Sequence, residues 1–176
     1  MISLRDVAKY RTVWRIARYA NDEDYQARRS YSDEEARRLF GGMPQVSEVE
    51  GNLLLNEGIN ALWTILCSSG GTKFDNTNAY LGVGDSSAAE SASQTGLQGT
   101  NKTYKGMDTS FPTYGTSQKA TWQATFGSSE GNHGWKEFTV ANGSTDSATN
   151  LNRKVSDQGT KTSGQTWQLT LEISLS

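Results

Sequence analysis

The chain has 176 residues with 17 basic and 19 acidic side chains, a formal net charge of −2, so it lacks the basic excess with which a general nucleic-acid binder meets phosphate. Its single cysteine, Cys67, and single histidine, His133, exclude an internal disulfide framework, a cysteine-rich zinc site and HExxH chemistry. No apolar run nears the roughly 18 residues of a spanning helix, and no apolar leader-like segment opens the chain; neither a nucleic-acid nor a membrane partner is expected.

The first 50 residues hold 9 basic and 9 acidic side chains, and eight of the nine arginines lie at or before Arg38. This stretch reads as a charged helical arm, residues 1–46. Ser3 is a candidate N-cap with Asp6 in the first turn, and Val7, Tyr10, Trp14 and Ala17 recur at helical steps over about residues 4–20. Ser32 and Glu35 have capping-box spacing, with Gly41 past the end of a short helix through Leu39. Ser47 and Glu50 repeat that spacing and open a third predicted helix, residues 47–70. Its apolar positions are Val49, Leu53, Ile59, Leu62, Trp63 and Leu66, and Gly58 weakens it by about 1 kcal/mol. Residues 1–45 hold too few aliphatic side chains for a core of their own, so the arm is expected to fold on a partner. Tyr10, Trp14 and the pairs Arg28-Arg29 and Arg37-Arg38 are its candidate contacts.

Residues 71–176 are rich in Gly, Ser, Thr and Asn and read as a β-sandwich domain. In the last segment Trp167, Leu169, Leu171, Ile173 and Leu175 alternate with polar residues, which predicts a strand with one buried face. Trp122, Ala124 and Phe126 alternate likewise. Ala79–Val83, Phe138–Ala141 and Leu151–Val155 are shorter candidates between glycine-marked turns. The predicted class is mainly β, a sandwich preceded by a helical arm.

Motifs for chemistry are weak. Gly82-Val83-Gly84-Asp85-Ser86 has neither dinucleotide spacing nor a Walker lysine. Asp75-Asn76-Thr77-Asn78 departs from EF-hand spacing and reads as a turn. His133 has no partner of metal-ligand type nearby in sequence. Glu130 and Glu137 are the nearest carboxylate pair for glycoside chemistry, and an ordinary half-exposed strand position accounts for Glu137. No enzyme activity and no cofactor are expected. Exposed aromatics in a row would instead indicate a carbohydrate-binding module.

From Leu53 onward the chain resembles small virion proteins of tailed bacteriophages. The resemblance rests on Leu54-Leu55-Asn56-Glu57-Gly58-Ile59, Gly71-Thr72-Lys73-Phe74, Asn78 to Ser86, Gln94 to Gln98, Lys105-Gly106-Met107-Asp108, Trp135 to Val140, Gly159-Thr160-Lys161 and the terminal strand. Their order is also similar to the β-rich attachment domain that opens many tail-collar fibres. The resemblance implies a non-enzymatic structural role in the virion, assembled in the bacterial cytoplasm. An arm ahead of the domain, with no shaft after it, suits a capsid decoration or cement protein bound to the major capsid protein; a tail component or fibre adaptor is the alternative. Decoration of local threefold axes implies a trimer, for which Tyr104, Phe111 and Tyr114 are the candidate anchors.

Overall fold

A computed structural model describes residues 9–40 and 44–176. Among the described residues the fold is mainly β, with two five-stranded antiparallel sheets and three short helices. The first sheet has the order β2-β1-β10-β7-β6, from Gln45–Glu50, Tyr10–Tyr19, Thr166–Leu175, Lys119–Phe126 and Thr113–Thr116. The second has the order β3-β9-β8-β4-β5, from Leu53–Leu54, Asn152–Val155, Glu137–Ala141, Tyr80–Gly84 and Lys102–Gly106. The helices are α1 (Asp22–Arg29), α2 (Asp33–Phe40) and α3 (Asn56–Cys67).

The largest departure from the sequence reading is at Tyr10–Tyr19. This segment is strand β1, not a helix, and it pairs with β10 along its whole length. The helical stripe Tyr10, Trp14, Ala17 coexists with a period-2 set, Thr12, Trp14, Ile16, and the latter is the buried one. Pairing decides between them. Trp122, Leu171, Trp14 and Val49 stand in register across four strands, so a strand at this position completes an apolar row that a helix would break. On the opposite face Arg15 and Arg11 meet Glu48 and Glu50 of β2, each at 2.7 Å. Ser47 and Glu50 therefore belong to an edge strand rather than to a capping box, and the third helix starts only at Asn56.

The other capping box forms. The Ser32 amide donates to Glu35 Oε2 at 3.1 Å, and the Glu35 amide donates back to Ser32 Oγ at 3.4 Å. Helix α1, which the periodicity does not reveal, is capped by Asn21, whose Oδ1 accepts from the Asp24 amide at 2.7 Å. Ser3, Asp6, Val7 and Gly41 lie outside the described residues.

Strands β10 and β7 include the segments that alternation marks, and β4, β8 and β9 lie within a residue of the shorter candidates between glycine-marked turns. Trp167, Leu169 and Leu171 are buried and Ile173 packs against them. Inward residues of both sheets join one cluster, in which Trp135 meets Phe126 and Trp167 edge-on at 4.8 and 4.9 Å. Such T-shaped contacts add roughly 0.5–1.5 kcal/mol each beyond area burial.

Asp22 ties α1 to this body. Its carboxylate accepts from the Ser128 amide at 3.1 Å, from the Ser128 hydroxyl at 2.6 Å and from the Thr166 hydroxyl. These hydroxyl bonds hold its pKa below the usual 3.8. A depressed carboxyl pKa gives stability that is present above the unfolded value and lost as pH falls through the folded one. Thermal melts of the wild type and Asp22→Asn should therefore differ at pH 6, and the gap should close as pH drops below 3.8. A pH-independent gap would show that the carboxylate charge is irrelevant.

Candidate interaction surface

Helix α3 is unusual for a surface helix. Between Glu57 and Cys67 it carries no charged side chain, and it has two apolar rows. The inner row is Gly58, Ala61 and Ile65. Gly58 lies so close to β9's approach that an added Cβ would come within 2.3 Å of the Leu151 carbonyl oxygen. Glycine here permits backbone contact, a role that outweighs its helix-propensity cost. Ala61 and Ile65 complete the seat against the core. Glu57 fixes the helix start, accepting from the Asn150 amide at 2.9 Å.

The outer row is Ile59, Leu62, Trp63 and Leu66. Ile59 is half-buried, but Leu62, Trp63 and Leu66 are 42%, 58% and 74% exposed. Three concavities flank them and share Leu62. One of about 680 Å³ is lined by Leu54, Ile59, Trp63 and Leu175 among others. One of about 560 Å³ reaches Tyr10, Trp122 and Ile173. The third, about 380 Å³, runs to Pro112 and Tyr114. Leu175 and Tyr114 are themselves 56% and 77% exposed. A surface helix normally turns its apolar stripe to the core, and a second, exposed apolar row of this extent makes this face a candidate interaction site.

The residues singled out from the sequence are dispersed. Tyr10 and Tyr114 line this face. Trp14 does not: it is fully buried, 5.7 Å from the Phe138 ring, and so is a core residue rather than a partner contact. Arg28 pairs with Asp24 at 2.7 Å and lies over the Phe40 ring, while Arg29 lies over Tyr25. Arg37 and Arg38 are exposed on the last turn of α2 beside exposed Leu39 and Phe40. Tyr104 is half-buried, its hydroxyl 3.1 Å from Asp146, and burial raises its pKa. Phe111 is half-buried too, its carbonyl accepting from Asn76 at 2.6 Å.

The polar candidates have structural partners. His133 lies 2.9 Å from the Gly134 carbonyl through Nδ1 and 3.0 Å from Thr103 Oγ1 through Nε2, so Nδ1 carries the proton and Thr103 donates. Asp75 accepts from the Asn78 amide at 3.0 Å, the turn expected of it. Glu130 pairs with Lys105 at 2.6 Å; Glu137 is not half-exposed but fully buried, its charge met by the equally buried Arg153 at 2.7 Å. In the Gly82-Val83-Gly84 run, the glycines make room for Tyr104 and for Glu137. Among the described residues, no three His, Cys, Asp or Glu side chains are placed to hold a metal ion, and no helix is long and apolar enough to cross a membrane.

No protein-family model, curated protein or solved structure matches this chain.

Proposed function

We propose that this chain is a non-enzymatic structural protein of a tailed-bacteriophage virion, acting as a capsid decoration or cement protein. Its two sheets are read as a β-sandwich that displays interaction surfaces rather than enclosing chemistry. The observation that carries the assembly role is the outer row of α3: Leu62, Trp63 and Leu66 stay outside a fold whose other apolar side chains are largely inside. The placement in a virion rests on the motif order, from Leu54-Leu55-Asn56-Glu57-Gly58-Ile59 to the terminal strand.

In this reading α1 and α2 supply the contact with the major capsid protein. Arg37 and Arg38 stand there beside exposed Tyr31, Leu39 and Phe40, a mix of charge and apolar surface suited to an interface rim and core. The α3 side is left for contacts between two copies of the chain; a trimer would need a separate contact. Tyr114 is the most exposed of the three proposed anchors; Tyr104 and Phe111 are half-buried, the Tyr104 hydroxyl held by Asp146. A tail component or fibre adaptor is the second reading, favoured by the similarity to tail-collar attachment domains. A sugar-binding platform is disfavoured, because four of the five tryptophans, Trp14, Trp122, Trp135 and Trp167, are in the core and Trp63 alone of them is exposed. Immunogold labelling of intact virions tests the proposal. Label over the head lattice supports decoration, label at the tail supports the second reading, and particles free of label overturn both.

A further inference from the structure

We infer that the outer row of α3 is a homotypic interface: α3 of one copy packs against α3 of another. The inference rests on reading this face as an interface, and it names the occupant.

Three observations point to a second copy rather than to a partner of different chemistry. First, Ile59, Leu62 and Leu66 are spaced by three and four residues, the seam on which helices pair with helices. Second, the seam has no charge. From Gly58 to Cys67 α3 offers no sign for a partner to complement, and the charged residues bordering the face, Lys73, Asp75 and Lys119, are of mixed sign. Third, the face carries both a projection and a recess. Trp63 stands out from the helix beside the concavity of about 680 Å³ formed with Leu54, Ile59 and Leu175. In a symmetric contact each copy's indole fills the other's recess, the aromatic anchor typical of binding hot spots.

The area is sufficient. At the exposures given above, Leu62, Trp63, Leu66, Tyr114 and Leu175 leave on the order of 600 Å² of apolar surface in water, at the top of the range for an ordinary monomer's largest patch. A symmetric contact uses that patch twice, about 1,200 Å² in total, which is the lower edge of a stable interface. A contact of that size lies at the weak end of specific interfaces, and the association is expected to be reversible.

The test is light scattering of the full-length chain across roughly 1–200 µM, together with Leu66→Asp and Trp63→Ser. Reducing conditions are needed because Cys67 is exposed at the end of α3. Both substituted side chains face water, so circular dichroism should show both variants folded. The wild type should pass reversibly from 19.2 kDa to twice that mass, and both variants should weaken that step at least ~10-fold. A wild type that stays monomeric throughout, or variants that associate as the wild type does, overturns the inference. Incorporation into particles separates the two readings. A monomeric wild type whose Leu66→Asp variant fails to join particles leaves the face as an interface with some other protein. A Leu66→Asp variant that is indifferent in both assays removes the interface reading as well.

Discussion

Replacing Arg153 by methionine is expected to destabilise the protein by about 3–5 kcal/mol, the usual cost of stranding a buried charge. Against a total of roughly 5–15 kcal/mol for a domain, this is a lowering of the melting midpoint on the order of 10 °C. Arg153 and Glu137 are both inaccessible to water and 2.7 Å apart. Methionine keeps the apolar stem and removes the charge, so the loss reads the ion pair rather than a cavity. The pair also holds the long connection between β4 and β5. Arg153 Nη1 donates to the Ala88 carbonyl at 3.0 Å and to Gln94 Oε1 at 3.0 Å. Glu137 accepts from the Gln98 amide at 3.0 Å and the Gly99 amide at 2.6 Å. A double Glu137→Leu, Arg153→Met variant removes the stranded charge but leaves those amides and carbonyls unpaired. It should recover part of the loss and no more. Urea melts of the three proteins measure this, with faster amide exchange at Gln98 and Gly99 as the local signature. A single variant within 1 kcal/mol of the wild type would mean that water reaches Glu137 when the arginine is gone.

How much of this could be read from the residues varies by element, for physical reasons. Strands β10 and β7 announce themselves because one face is dry and the other wet, so Leu169 and Leu171 alternate with Gln168 and Thr170. Strand β5 does not: all five residues of Lys102–Gly106 are half-buried, and no alternation results. Strand β6, Thr113–Thr116, is an exposed edge with a register shift between Tyr114 and Thr116, and it has no apolar signature at all. The Ser47-to-Glu50 spacing imitates a capping box because Glu50, which pairs with Arg11, falls three residues after Ser47. The apolar residues of α3 were readable, but not which of them faces out. That depends on Gly58 docking against Leu151, a contact across more than ninety residues. What the sequence does carry is a helix with apolar side chains on two sides and no charge after Glu57, itself the sign of a helix with two partners.

A chain beginning at Ala20 should fail to unfold cooperatively, the reverse of what a detachable arm would do. Strand β1 lies between β2 and β10, so its loss frees β2 and leaves β10 paired only to β7. It also empties the places of Trp14 and Ile16, both fully buried. Truncating a buried tryptophan costs about 3–5 kcal/mol and a buried isoleucine about 2–5 kcal/mol. Together these match the roughly 5–15 kcal/mol that holds a domain folded, before the backbone hydrogen bonds to β10 are considered. Trp14→Ala in the full chain isolates the first of these losses and should lower stability by about 3–5 kcal/mol. Arg15→Ala, on the wet face of the same strand, removes only an exposed pair with Glu48 and should cost less than about 1 kcal/mol. The contrast between positions 14 and 15 is the signature of a strand with one buried face. In a docking helix free of the body, neither substitution would move the melting midpoint, and the truncated chain would melt as the wild type does.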